Sequence, residues 1–322
     1  MRIVFMGTPE IAVSSLDALR RDGHEIAGVV TAPDRPTGRG RQLKSSAVKT
    51  YTLKHGMQVL QPENLKDPGF LARLQSMNPD LIVVVAFRML PEEVWGMPPL
   101  GTINLHASLL PQYRGAAPIN RVIMNGETKT GVSTFFIERD IDTGKIILRE
   151  PVPISPDDNA GSLHDRIMKT GAELLVRTVR IIEEGNPPRI DQSELIEPGE
   201  ELKTAPKIFR DDCRIRWNRP VQEVYDYIRG LSPVPAAWTI LVPPDGQERI
   251  LKVYAAEKME RESIFRPSTL LTDGRSRFEV VCRDGMLNLT EVQLDGRKRM
   301  GIEEFMRGME DLSSFSIRDD NE

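Results

Sequence analysis

"RIVFMGTPEIAVSSLDALRRDGHEIAGVVT", Arg2 to Thr31, decides the fold. It opens on a short apolar run that ends at Gly7, and in the segment that follows Ile11, Leu16 and Leu19 recur at helical spacing. Thr8 suits an N-cap, Pro9 the first helical position and Gly23 the stop. "EIAGVVT" is then a second apolar run. Working outward, "DLIVVVAF" (Asp80 to Phe87), "GTINLHA" (Gly101 to Ala107) and "GVSTFFIE" (Gly131 to Glu138) repeat the pattern. Continuous apolar strands alternating with helices indicate a parallel sheet covered on both faces. The expectation is a doubly wound, Rossmann-like α/β domain that binds its ligand beyond the C-terminal strand ends, near the topological switch point. No G-x-G-x-x-G follows Met6 and no Walker pattern occurs anywhere, so Gly7 reads as a tight turn and not as a dinucleotide site.

A chain of 322 residues suits two domains better than one. Its 39% hydrophobic and 28% charged residues are those of a soluble globular protein. No apolar run approaches the ~20 residues that span a bilayer. The N-terminus begins as a strand with no signal-peptide pattern, and a cytoplasmic location is expected. Cys213 and Cys282 are too few for a disulfide framework and form no metal-type pair. Nothing requires an oligomer, and a monomer is expected.

Further along, "NAGSLHDRIMKTGAELLVRTVRIIEEG" carries a cap at Asn159, an apolar stripe from Leu163 to Ile182 and a stop at Gly185. Periodicity is then lost in a Pro-, Glu- and Lys-rich stretch. The domains expected are therefore 1–188, a linker over 189–206, and 207–322. In the last of these, Val221 to Leu231 reads as a short helix. Alternating runs punctuated by Asp284–Gly285 and Asp295–Gly296 read as hairpins of a smaller, OB-like β-barrel.

The net charge of -4 argues against general nucleic-acid binding. Two local runs oppose that average, "DRPTGRGRQLKSSAVK" (Asp34 to Lys49) and "KTAPKIFRDDCRIRWNR" (Lys203 to Arg219). A solvated surface is the plain reading of any basic run. The first holds Pro36, Gly38 and Gly40 without an apolar stripe. It is expected to form no helix or strand of its own and to become ordered on RNA.

Polar residues interrupt the buried strands. Asn104 and His106 are two apart on one strand and so point to one face, while Asp142 follows in a Gly-ended turn after the next strand. Singly, a buried His is commonly a hydrogen-bonded core residue and an Asp near a Gly a turn-former. Together, beside the irregular Pro- and Gly-bearing loop "SLLPQYRGAAP", they point to a site. His24, His55 and His164 read as structural.

With "FMGTPEIAVSSLDAL", "TAPDRPTGRGRQLKSSAVK", "VVVAFRMLP", "AGSLHD", "TAPKI" and "GLSPVPAAW", the stretch "NLHASLLPQYRGAAPIN" to "ERDIDTG" resembles the folate-dependent formyltransferases over most of the chain. The resemblance implies 10-formyltetrahydrofolate as co-substrate, no metal, and catalysis by Asn104, His106 and Asp142. The first two would donate to the oxyanion that develops on the formyl oxygen, and Asp142 would orient the His and help remove the amine proton. It implies a folate pocket at Phe87, Arg88, Met89 and Leu90, at Ser108, Leu109, Leu110 and Pro111, and at Asp140 and Ile141. The Asn–His–Asp signature alone fits members that formylate glycinamide ribonucleotide or sugar nucleotides. The basic loop and the appended β domain narrow the acceptor to initiator methionyl-tRNA, held by Arg35, Arg39, Arg41 and Lys44 and by Lys203, Lys207, Arg210 and Arg214. A folate- or RNA-binding module without catalysis would not need the three polar residues together.

Overall fold

The computed structural model describes residues 1–37, 42–259, 264–309 and 314–318. Strand β1 (Arg2–Gly7), helix α1 (Glu10–Arg21) and strand β2 (Glu25–Val30) make the opening unit. On α1 the buried residues Ala12, Ser15, Leu16 and Leu19 form one stripe at i, i+3, i+4 and i+7. The cap falls on Pro9 and not on Thr8: Pro9 is extended, Glu10 is the first helical residue, and no side chain bonds the cap. Gly23, at φ +90°, takes the left-handed turn that ends the helix.

Residues 35–37 and 42–44 correct the expectation that the basic run forms no strand. Strands β3 (Arg35–Thr37) and β4 (Gln42–Lys44) pair antiparallel, Arg35 opposite Lys44 and Pro36 opposite Leu43. Such a ladder needs only main-chain groups, and a two-stranded ribbon leaves an outer edge where a proline costs no bond. Residues 38–41, and with them Arg39 and Arg41, lie outside the described residues.

The chain continues through α2 (Ala47–Lys54), β5 (Val59–Leu60), α3 (Pro68–Ser76), β6 (Leu81–Val85), α4 (Glu92–Trp95) and β7 (Thr102–His106). Ser46 caps α2 by accepting the Lys49 N–H, and Asp67 caps α3 through Phe70. After them come β8 (Arg114–Gly115), α5 (Pro118–Met124), β9 (Lys129–Phe136), β10 (Ile146–Pro153), α6 (Ala160–Glu183) and β11 (Thr204–Ala205). Asn159 and Ser162 cap α6 reciprocally, each side chain bonding the other's N–H at 3.0 Å.

The main sheet runs β10-β9-β7-β6-β1-β2-β5. From β5 to β7 it is parallel; β9 joins β7 antiparallel, and β10 joins β9 antiparallel. The expected Rossmann-like sheet is thus mixed, with an antiparallel pair added at one edge. Chain order reverses between β1 and β6, which puts the switch-point crevice at their carboxyl ends. Under one face, Val4, Met6, Ile82 and Val84 pack with Phe70, Leu74 and Met77.

The chain divides into two compact units. One comprises Met1–Pro118, Lys129–Pro153 and His164–Ala205, the other Ile119–Thr128, Ile154–Leu163 and Pro206–Glu322. In the second unit lie α7 (Val221–Leu231), β12 (Ala237–Val242), β13 (Arg249–Met259), β14 (Leu270–Thr272), β15 (Phe278–Val281) and β16 (Met286–Leu294). It closes with β17 (Met300–Gly301), α8 (Ile302–Arg307) and β18 (Ser316–Ile317). Its antiparallel order β14-β15-β16-β13-β12-β18 curls into a nearly closed barrel around Trp217, Phe278 and Phe305. Asp284–Gly285 turns β15 into β16, and Asp295–Gly296 follows β16 before β17 returns along it. Among the described residues no helix is long and apolar enough to cross a membrane.

Candidate active site

Strand β7 is buried between β6 and β9, and its last residues carry the polar groups. Asn104 lies beside Val84 and Phe135, and His106 lies opposite Ser133. Period-two alternation puts both side chains on one face. The His106 ring is 7% exposed. Its Nε2 stands 2.9 Å from the Tyr113 carbonyl. A carbonyl can only accept, so Nε2 carries a proton and the ring orientation is fixed. The other nitrogen, Nδ1, then faces the Asp142 Oδ2 at 3.7 Å. Among the described residues nothing hydrogen-bonds the Asn104 amide, and nothing donates to Asp142 Oδ1.

Asp142 is placed by the turn between β9 and β10. Its φ is +54°, in the left-handed region that Asp tolerates better than most residues. Two positions on, Gly144 has no room for a Cβ, which would run into the Phe136 carbonyl oxygen. The Gly115 N–H donates to Asp142 Oδ2 at 2.9 Å, so one carboxylate oxygen is held while the other stays open. Gly115 sits at φ +126°, and a Cβ there would lie 2.5 Å from the Ala205 carbonyl oxygen. Only glycine lets β8 lie this close to β11.

The expected pocket residues fall into two kinds. Phe87 is half-buried, Arg88 and Met89 are exposed, and Leu90 is buried among the β6-side core. Ala86, at φ +48°, turns the chain away from β6 just before them. Arg88 is tied down, donating to the carbonyls of Pro62 and Glu63. Asp140 and the 61% exposed Ile141 project from the turn that carries Asp142.

Ser108, Leu110 and Pro111 are buried, and Leu109 is half-buried. Ser108 donates to the Gln112 carbonyl, Ser133 donates to the Ser108 carbonyl, and Leu110 packs on Phe135 and Ile146. The main chain of this stretch is largely engaged as well: the Leu110 N–H donates to Ser133, and the carbonyls of Leu109 and Leu110 accept from the Gln112 N–H and from Arg149. Of the basic residues, Arg35 and Lys44 are exposed on the β3–β4 ribbon, and Lys203, Lys207 and Arg210 are exposed. Arg214 is half-buried with its guanidinium 5.6 Å from the Trp238 ring centroid. Among the described residues no group of three or more His, Cys, Asp and Glu could hold a metal ion.

The residue types of the triad were legible in the sequence, but its holders were not. Tyr113 and Gly115 act through main-chain atoms, which leave no mark on residue type. Gln192 reaches this region from an aperiodic stretch that carries no motif.

Residues 1–179 match the family model described as formyl transferase, and residues 207–310 the one described as formyl transferase, C-terminal domain. The chain belongs to the formyl transferase family. Methionyl-tRNA formyltransferase of Parabacteroides distasonis is 51% identical over 318 residues, covering 98% of each chain. Two solved structures place this formyl transferase by fold. HypX from Aquifex aeolicus in complex with tetrahydrofolic acid superposes with a TM-score of 0.63 at 18% identity, over 95% of this chain and 47% of that one. The N-formyltransferase from Helicobacter canadensis, in complex with folinic acid and dTDP-3-aminofucose, gives 0.60 at 18% identity, over 92% and 99%.

Proposed function

We propose that this formyl transferase moves the formyl group of 10-formyltetrahydrofolate onto the free amine of methionine carried by initiator tRNA. The reading is of a cytoplasmic enzyme that needs no second subunit and no metal. The acceptor is supported by the 51% identity to a methionyl-tRNA formyltransferase along nearly the whole of both chains. The chemistry is supported by one observation. His106, fixed through Nε2, turns Nδ1 toward a carboxylate 3.7 Å away, with the Asn104 amide on the same strand face.

The reaction has three demands. As the amine nitrogen attacks the formyl carbon, a C–N bond forms, the carbonyl π pair moves to oxygen and the nitrogen becomes an ammonium. Asn104 donates one N–H to that oxygen, and the protonated His106 ring donates from Nδ1. Each such donor lowers the barrier by about 3 kcal/mol because it strengthens only as the charge develops. Asp142 Oδ1 takes the ammonium proton. Collapse of the tetrahedral species then breaks the bond to the folate N10, which leaves with a proton from His106, and Asp142 returns its proton to the ring. Every proton is accounted for without water.

The folate ring lies against Phe87 to Leu90 and the turn at Asp140–Ile141, with the 108–111 stretch beside it. The tRNA is held by Arg35, Arg39, Arg41 and Lys44 and by Lys203, Lys207, Arg210 and Arg214.

The deciding measurement is transfer of labelled formyl from 10-formyltetrahydrofolate to methionyl-tRNA set against amino-sugar nucleotides. Label is expected on initiator methionyl-tRNA. Label on the sugar and none on the tRNA would overturn the reading.

A further inference from the structure

Gln192 stands outside every motif that points to formyl transfer, yet it is 2% exposed, and both ends of its amide are fully used. It opens a short 3-10 turn, Gln192–Leu195, capped by Asp191. Its Nε2 donates to the carbonyl of Asp142 at 2.9 Å and to the carbonyl of Gly144 at 2.8 Å. Its Oε1 accepts from Arg114, at 3.0 Å from Nε and 2.6 Å from Nη2. Only one orientation of the amide satisfies the set. Flipped, it would set an oxygen against two carbonyls and an NH2 against a guanidinium.

One side chain therefore ties together the two segments that fix the carboxylate of Asp142. Through Asp142 O and Gly144 O it braces the turn, whose left-handed Asp142 needs an external hold. Through Arg114 it braces the residue before Gly115, whose N–H holds Asp142 Oδ2. The stretch around Gln192 is itself anchored to the same segments. Ile190 exchanges main-chain bonds with Ile146 at 2.9 and 3.0 Å. The Tyr113 N–H donates to Lys203 O at 2.7 Å, the Ala117 N–H to Ala205 O at 3.1 Å, and β11 pairs in parallel with β8. The Tyr113 carbonyl is also the group that orients His106. Residues 190–205 thus run as a strap along the holders of His106 and Asp142.

We propose that Gln192 is a positioning residue for formyl transfer, setting the carboxylate of Asp142 against His106 by clamping the 142–144 turn to Arg114. The proposal rests on the reading that Asp142 takes part in formyl transfer. The role calls for glutamine. Glutamate has the length but no donor, asparagine falls one methylene short, and methionine fills the space with neither donor nor acceptor.

The test is Gln192→Glu, which keeps an acceptor for Arg114 and turns an oxygen toward the two carbonyls. It is run with Gln192→Met and Asp142→Asn, each alone and each glutamine variant combined with Asp142→Asn. Outer partners of this kind cost roughly 10- to 100-fold when removed. Both single variants are expected to lower kcat by at least about tenfold, with KM for the formyl donor and for methionyl-tRNA within about threefold of wild type. In the Asp142→Asn background the same changes should lose most of their effect, because a residue that acts through Asp142 has nothing left to position.

Thermal unfolding of each variant checks the fold, and Gln192→Met serves where Gln192→Glu does not fold. Wild-type kcat in the folded single variants would overturn the proposal. So would an equal loss with and without Asp142→Asn, since that is the mark of a structural role alone. Wild-type protein that formylated no methionyl-tRNA would overturn the functional reading, and the proposal with it, before any variant was compared.

Discussion

Asn104, His106 and Asp142 answer different demands of one reaction, so their replacement should separate them. Asn104→Ala removes one donor to the developing oxyanion, and kcat should fall by about 10²–10³-fold with folate affinity little changed. His106→Ala removes a donor and the proton for the leaving group, and should cost more. Asp142→Asn keeps an acceptor for the Gly115 N–H but takes up no proton, so it tests charge apart from shape. Single-turnover kinetics with bound-folate measurements check all three, and near wild-type turnover in Asp142→Asn would remove the carboxylate from the mechanism. The unused thiols make a second residue-scale test. Burial pushes the Cys282 thiol up to about 12 and raises that of Cys213 as well. Almost no thiolate exists at neutral pH, and native protein should resist iodoacetamide that labels both cysteines once unfolded. Mass spectrometry of the native sample would show the contrary as a rapid adduct. At this scale the sequence discloses the side chains that do chemistry, because an amide, an imidazole and a carboxylate are out of place at the ends of apolar strands. It conceals their partners: a carbonyl such as that of Tyr113 and an N–H such as that of Gly115 occur all along the chain and become visible as holders only when it is folded.

Elements differ in how strongly their glycines are required. Gly144 ends the turn that carries Asp142 where a Cβ would strike the Phe136 carbonyl, a backbone atom of β9 that cannot yield cheaply. Gly185 ends α6 at φ +97° with open space around it. Gly185→Ala should therefore cost only the left-handed strain, about 1 kcal/mol. Gly144→Ala should cost more in stability and also lower kcat through Asp142. Denaturant titration beside steady-state kinetics compares the two, and equal effects would contradict the crowding argument. A charge ties the end of α1 to α6. Arg180 donates to Asp22, the residue that ends α1, and holds its carboxyl below the usual carboxylate range. A depressed folded value means stability that is present above the unfolded value, about 3.9, and lost as pH falls through the folded one. Asp22→Asn should thus be less stable than wild type at neutral pH, and the gap should begin to narrow below about pH 4 and close once the pH has fallen past the depressed folded value. Unfolding at a series of pH values checks this, and a gap that did not narrow at all as the pH fell below about 4 would not be electrostatic. Apolar periodicity marks β1, β6, β7, α6 and α7 plainly. The β3–β4 ribbon and the β8–β11 pair are two or three residues long, too short for any period, and their pairing is a fact of main-chain geometry.

The whole molecule carries a net charge of -4 while its proposed acceptor is a polyanion. Binding must then come from charge placed locally, and the described basic residues suit that. Arg35 and Lys44 face each other across an exposed ribbon. Lys207 and Arg210 are exposed near the start of the second unit, where the Trp238 indole donates to the Arg210 carbonyl and fixes the main chain at the base of that cation. Exposed arginine and lysine on a held backbone suit phosphates, which give affinity and orientation without any reading of bases. Each cation removed from a phosphate should lower the slope of log affinity against log salt by roughly 0.7–0.9. Lys207→Gln with Arg210→Gln should therefore raise KM for methionyl-tRNA at moderate salt, flatten its rise with added salt and leave kcat near wild type, since neither residue touches the triad. Changing only Arg35 and Lys44 should produce a second, separate flattening, and combining the two pairs should add the two changes in slope. KM measured across a salt series for the three proteins decides the matter. If the slopes stayed at the wild-type value in all of them, the acceptor would be held elsewhere, and neither basic run would be a tRNA surface.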